Sequence, residues 1–115
     1  MTERDVERAL RLMVERCGGL CLKWVCPGWS GVPDRILLLP GGRAAFVEVK
    51  RPTGGRLGGL QRWWLDRLRK MEFEVHVVRN RADVDRLRAA LMEKGGRGDE
   101  IRSLSASAGG NQLDT

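Results

Sequence analysis

The chain has few of the residues on which several common chemistries depend. It contains one histidine, His76, so a Ser-His-Asp arrangement has a single possible base. That base falls inside the apolar run Val75-His76-Val77-Val78, where a half-exposed strand histidine is the simpler expectation. The three cysteines, Cys17, Cys21 and Cys26, are separated by three and four residues. This is not the paired spacing of a zinc ribbon, and an odd number of thiols does not make a disulfide framework. They read as reduced, small apolar side chains. No stretch of 18 apolar residues is present, so no membrane-spanning helix is expected. The first residues, Met1-Thr2-Glu3-Arg4-Asp5, are charged and do not resemble a secretion signal, which points to the cytosol. The loop Arg51-Pro52-Thr53-Gly54-Gly55-Arg56-Leu57-Gly58-Gly59 is rich in glycine but lacks the Lys-Ser/Thr ending of a phosphate-binding P-loop.

What is present is positive charge. Twenty-one Lys and Arg residues outnumber fifteen Asp and Glu, giving a formal net charge of +6 in 115 residues. That balance suits a polyanionic partner, most simply nucleic acid, although a solvated basic surface produces the same total. The length fits one domain with a tail.

Hydrophobic spacing supplies the organisation. Val6, Leu10, Met13, Val14 and Cys17 form a helical stripe that Thr2 can cap and Gly18-Gly19 ends. Leu20 to Val25 reads as a strand, followed by a loop containing Pro27, Gly28 and Gly31. Two apolar runs around Pro40-Gly41-Gly42-Arg43 predict a hairpin. A second helix is expected from Leu60 to Met71, with Leu60, Trp64, Leu65, Leu68 and Met71 on its apolar side and one of the adjacent indoles, Trp63 or Trp64, partly exposed. A fourth strand covers Phe73 to Arg79, and a last helix, capped by Asn80, covers 81–92. The order α-β-β-β-α-β-α predicts a small mixed α/β sheet flanked by helices over residues 1–94. Residues 95–115, rich in Gly, Ser and Ala, read as a disordered tail.

The hairpin carries charge where a buried strand would not. Asp34 opens its first run, and Glu48 and Lys50 close its second. Residues two apart on a strand share a face, so Glu48 and Lys50 lie side by side. Antiparallel pairing brings Asp34 to the same end. Two carboxylates on neighbouring strands suit a hard divalent cation such as Mg²⁺, with the Val49 carbonyl in reach and Glu3 or Glu7 of the first helix completing the shell. Lys50 can then position water or neutralise a phosphate. The competing account is a hairpin end decorated with salt bridges, and Glu-x-Lys alone does not choose between them.

The residues Gly31-Val32-Pro33-Asp34-Arg35-Ile36, Phe46-Val47-Glu48-Val49-Lys50 and Gln61, in that order, resemble the VRR-NUC family. This is the virus-type replication-repair nuclease branch of the PD-(D/E)XK superfamily. Glu3, Val6, Leu10 and Gly18-Gly19 resemble its stand-alone phage or prophage members. The resemblance covers residues 3 to about 90. It implies a restriction-endonuclease-like αβββαβ core and Mg²⁺- or Mn²⁺-dependent cleavage of DNA. By position it makes Asp34 and Glu48 metal ligands and Lys50 the catalytic lysine, with Gln61 opening the following helix. For the helix carboxylate, the family pattern leans to Glu3, and counting from the helix end favours Glu7. The chain departs from the family at Gly58-Gly59, where polar residues are common. By analogy it implies a homodimer acting on branched DNA such as four-way junctions. A catalytically silent DNA-binding module of the same fold is the alternative. Lys23, Arg35, Arg51, Arg56 and Arg62 are candidates for phosphate contacts.

Overall fold

The computed structural model describes residues 1–93. The expected tail over 95–115 lies outside the described residues. The elements are α1 (Glu3–Arg16), β1 (Leu20–Lys23), β2 (Arg35–Leu39), β3 (Arg43–Val49), α2 (Gly59–Lys70) and β4 (Glu74–Val78). A further helix, α3, covers 81–93.

Helix α1 starts where side chains can take up its free N–H groups. Thr2 accepts from the Asp5 backbone N–H at 3.2 Å, and Asp5 accepts from the Thr2 N–H at 2.7 Å. The helix stops at Gly18-Gly19 for two reasons. Gly18 has φ +86°, a conformation that side chains disfavour, and a Cβ on Gly19 would lie 2.6 Å from the Leu38 carbonyl oxygen. The chain therefore turns tightly from α1 into β1 and lays the helix along the sheet. Asn80 caps α3 by accepting from the Asp83 N–H at 2.8 Å, as its sequence position suggests.

The strand order is β1-β2-β3-β4. β1, β2 and β3 form an antiparallel meander, and α2 carries the chain over to β4, which pairs parallel with β3. Residues of one parity, including Leu37, Leu39, Ala45, Val47, Val49 and Val78, form a core with Val6, Leu10, Val14, Val84 and Leu87 of α1 and α3. The other face packs Phe46 and Val75 against Leu65 and Leu68 of α2. Helix α2 covers the β3–β4 half of that face, and the cluster beneath it extends to Ile36 and Trp24. Leu20, Leu22 and Leu38, beyond it, remain exposed.

The helical stripe on α2 is shorter than its periodicity predicts. Leu65 and Leu68 are buried, but Leu60 and Met71 are about half exposed, at 51% and 48%. Leu60 lies in the first turn of α2, close against Gly31, and Met71 caps its end. Trp63 is exposed, whereas Trp64 is half-buried and donates its indole N–H to the Ser30 carbonyl at 2.9 Å. The three thiols are free. Burial pushes the Cys21 thiol up to about 11, so it stays protonated at neutral pH. Among the described residues no helix is long and apolar enough to cross a membrane.

Leu10 is fully buried between α1 and the sheet. Leu10→Ala should lower unfolding free energy by about 2–5 kcal/mol, read by urea denaturation. A loss under about 1 kcal/mol would show that α1 is not part of the cooperative core.

Candidate active site

The charged residues of the hairpin meet at one end of the sheet because of strand register. Arg35 pairs with Val47, which sets Asp34, the residue before β2, beside Glu48 and Val49 at the end of β3. Two reciprocal hydrogen bonds close this end. The Asp34 backbone N–H donates to Glu48 Oε1 at 3.2 Å, and the Val49 N–H donates to Asp34 Oδ1 at 3.1 Å. The Asp34 carbonyl accepts from the Trp24 N–H at 2.8 Å, and the Lys50 N–H donates to the Val78 carbonyl at 2.9 Å. The acids are thus mounted on backbone tied to strands on both sides.

Glu48 is the hub. Its side chain is 5% exposed, and its second oxygen, Oε2, lies 3.3 Å from Lys50 Nζ. The same oxygen accepts from Gln61 Nε2 at 2.8 Å. Gln61 has a second task, since its Oε1 accepts from the Gly58 N–H at 2.9 Å. One amide therefore caps the start of α2 and orients the glutamate. Gly58 has no side chain with which to cap, and Gln61 at the third helical position supplies the missing partner. The two glycines at which the chain departs from the family pattern leave that role to Gln61.

Asp34 has a different environment. Its pKa is raised to about 6, first by burial and then by the Glu48 carboxylate, with a smaller contribution from Glu3. The Val49 N–H and the Arg35 guanidinium act in the opposite direction. Burial disfavours the charged form, and a second carboxylate nearby adds repulsion.

The two helix glutamates are placed differently. Glu7 Oε1 is 2.6 Å from Arg35 Nη2, and Arg35 Nη1 donates to the Asp34 carbonyl at 2.9 Å. Arg35 is itself buried. Its guanidinium is thus engaged within the protein, which differs from the freely presented phosphate contact expected of it. Glu3 is exposed, makes no ion pair within the described residues, and acts on the charge of Asp34. Lys23, Arg51, Arg56 and Arg62 are exposed. Arg51 donates to the Gly54 carbonyl within its own loop at 3.4 Å, and Arg62 lies in the first turn of α2, next to Gln61.

Comparison with known proteins identifies the family. The VRR-NUC domain matches residues 8–82, which include Asp34, Glu48, Lys50 and Gln61. The chain belongs to the VRR-NUC family. A solved structure of a VRR_NUC domain superposes with a TM-score of 0.71 at 33% identity, covering 81% of this chain and 97% of that one. A protein provisionally named nuclease p44, from Acyrthosiphon pisum secondary endosymbiont phage 1, is 46% identical over 50 residues. That match takes in 44% of this chain, and the chain spans about half the length of the phage relative, 54%. The VRR-NUC fold of this chain is therefore the mixed α/β architecture that the order of its elements predicts.

The reciprocal N–H contacts and the double use of Gln61 were not foreseen from residue types. The double use of Gln61 has a signal in the sequence, the Gly58-Gly59-Leu60-Gln61 spacing, which leaves an uncapped helix start with a glutamine at the right distance, and the reciprocal contacts have none.

The raised pKa of Asp34 has a direct consequence for stability. A carboxyl that binds its proton more tightly when folded loses stability as pH rises from about 4 through 6. In EDTA, Asp34→Asn, which keeps an acceptor for Val49, should therefore be more stable than the parent at pH 7–8. The expected margin is roughly 1 kcal/mol after allowing for solvent screening. The margin should vanish below about pH 4, where the parent is also neutral. Thermal melts across pH check this, and a parent as stable as Asp34→Asn at pH 8 would show that Asp34 is not strained by its neighbours.

Proposed function

We propose that this chain is a metal-dependent DNA endonuclease that hydrolyses phosphodiester bonds. The observation that carries the reading is the constellation on Glu48. A buried carboxylate is held by a backbone N–H and by Gln61, faces Lys50, and lies beside a second, electrostatically strained carboxylate.

The donor chemistry fits a hard divalent ion. Among the described residues no group of three or more His, Cys, Asp or Glu side chains forms a ready metal cluster. Mg²⁺, however, commonly uses one or two protein carboxylates and retains water. Asp34 and Glu48 are such a pair, and Asp34 Oδ2 has no hydrogen-bond partner among the described residues. The Lys50 ammonium already marks the place as one where positive charge is favourable. Asp34 and Glu48 would hold Mg²⁺ or Mn²⁺, with the Val49 carbonyl and a helix glutamate as further oxygens. The engagement of Glu7 by Arg35 favours Glu3 for that last place. When bound, the ion supplies Lewis acidity that lowers the pKa of water and offsets charge gathering on the phosphate.

The chain's own residues divide the remaining work. Lys50 offers N–H donors beside Glu48, where it can orient the attacking water or stabilise a phosphate oxygen. Gln61 fixes the rotamer of Glu48, so the carboxylate is in place before substrate arrives. Hydrolysis then forms a bond from water oxygen to phosphorus as one ester P–O bond breaks.

Branched DNA, such as a four-way junction, is the proposed substrate, with two copies of the chain delivering two symmetric nicks. The exposed Leu20, Leu22 and Leu38 on the sheet face that α2 leaves open support a homodimer.

Labelled four-way junction, linear duplex and single strand, incubated with Mg²⁺, Mn²⁺ or EDTA, test the activity. Cleavage should need the metal and be fastest on the junction. Lys50→Ala should bind DNA normally and cut about 10²–10³-fold more slowly. Cleavage in EDTA, or a Lys50→Ala rate equal to the parent's, would overturn the assignment. Sedimentation velocity should show a dimer that Leu38→Lys converts to monomer. A parent that remains monomeric at tens of micromolar would remove the two-copy proposal.

A further inference from the structure

We infer that α1 and the edge strand β1 form a second nucleic-acid contact, a cleft that takes successive phosphates of one strand leading away from the catalytic centre. This rests on the nuclease reading above and adds the path of the substrate. The cleft has a volume of about 440 Å³ and lies between Arg4, Glu7, Arg8 and Arg11 of α1 and Lys23 and Arg35 of the sheet. Five cations thus surround one carboxylate, and that carboxylate, Glu7, is already neutralised by Arg35 at 2.6 Å. What remains is a local field strongly favourable to a polyanion.

The arrangement follows from helix geometry. Arg4, Arg8 and Arg11 recur at four and three residues, so they share one side of α1, while Val6, Leu10 and Met13 bury the other. At 1.5 Å per residue the stripe is about 10 Å long, roughly three nucleotide rises of a strand. Competing internal partners are weak. Arg11 meets Glu15 at 3.4 Å, but both side chains are nearly half exposed, and such pairs contribute little. Of the acids flanking Arg8, Glu7 is held by Arg35, and Asp5, three residues before it, is occupied in the cap of α1 with Thr2. Arg4, Arg8 and Lys23 are exposed and free to turn toward a ligand.

The cleft is joined to the catalytic centre through Arg35. One arm of its guanidinium holds Glu7 in the cleft wall, and the other holds the Asp34 carbonyl. Arg35 and Lys23 face each other across β1 and β2, on the sheet face opposite Glu48. A strand whose phosphate meets Asp34 and Glu48 at the sheet end therefore continues over that end and along α1. Contacts by this cleft fall on one side of the scissile bond only.

The test uses the full chain in EDTA, with a fluorescein-labelled duplex read by anisotropy over a range of salt. The double variant Arg8→Ala/Arg11→Ala should reduce the slope of log affinity against log salt by about 2 and weaken binding about tenfold or more. The control is Arg69→Ala/Lys70→Ala in the last turn of α2, beside Arg43 and Glu74 at the opposite end of the sheet, which removes the same charge and should leave the slope nearly unchanged. Equal effects of the two doubles would mean diffuse attraction and overturn the cleft. So would an unchanged slope in Arg8→Ala/Arg11→Ala with a normal melting curve. Single neutral methylphosphonates placed along the strand should weaken parent binding on one side of the cut site and have no further effect in the cleft double variant. Interference on both sides alike would overturn the path. A parent chain that binds no DNA at all would remove the nuclease reading itself, and the cleft with it.

Discussion

Everything at this site depends on how β2 and β3 are tied at their open end. Asp34 gives its N–H to Glu48, and Val49 gives its N–H to Asp34. Each acid is therefore fixed by the strand that carries the other. This matters because the pair is electrostatically unfavourable. Two carboxylates in a partly dry place repel, and free side chains would swing apart into water. Backbone N–H groups hold them together without neutralising them. Burial first and this repulsion second raise the pKa of Asp34, and Lys50 and Gln61 contact only Glu48. A site prepared in this way has something to gain from a cation, which is the usual means by which a fold stores affinity for a metal.

The rest of the fold serves to keep that end rigid. The meander sets the register of β2 against β3, and the parallel strand β4 backs β3, with the Lys50 N–H anchored on Val78. The crossover through α2 returns the chain to β4 and also places Gln61 over Glu48. A single glutamine thereby links the start of a helix to the position of the buried Glu48 carboxylate. Loss of the cap and loss of orientation are expected to go together, because the same amide provides both.

Much of this was legible in the residues. Apolar periodicity gave the element order, and alternation along the second hairpin strand put Glu48 and Lys50 on one face. Their separation of 3.3 Å follows from that alternation. The convergence of Asp34 needed one further assumption, antiparallel pairing around Pro40-Gly41-Gly42-Arg43, which the register satisfies. Tertiary placement was harder to read. Leu60 and Met71 carry the helical spacing of buried residues yet are about half exposed at the two ends of α2, since periodicity records direction around a helix and not where its partner ends. Glu3 and Glu7 share a helix face, so spacing alone could not separate them. The separation came from Arg35, a residue on another element.

Arg35 also shows why charge totals say little about where charge acts. In the sequence it is one of twenty-one cations and stands next to the proposed metal ligand Asp34. In the fold it is buried, with both arms of its guanidinium engaged, and its effect passes through what it holds. It holds Glu7 in an ion pair and so neutralises that carboxylate in the cleft wall. It also helps restrain the Asp34 carboxyl from rising further. An arginine placed between an acidic centre and a basic cleft separates two fields of opposite sign that lie side by side. That separation is what the proposed metal centre at the sheet end and the proposed strand path along its flank both require.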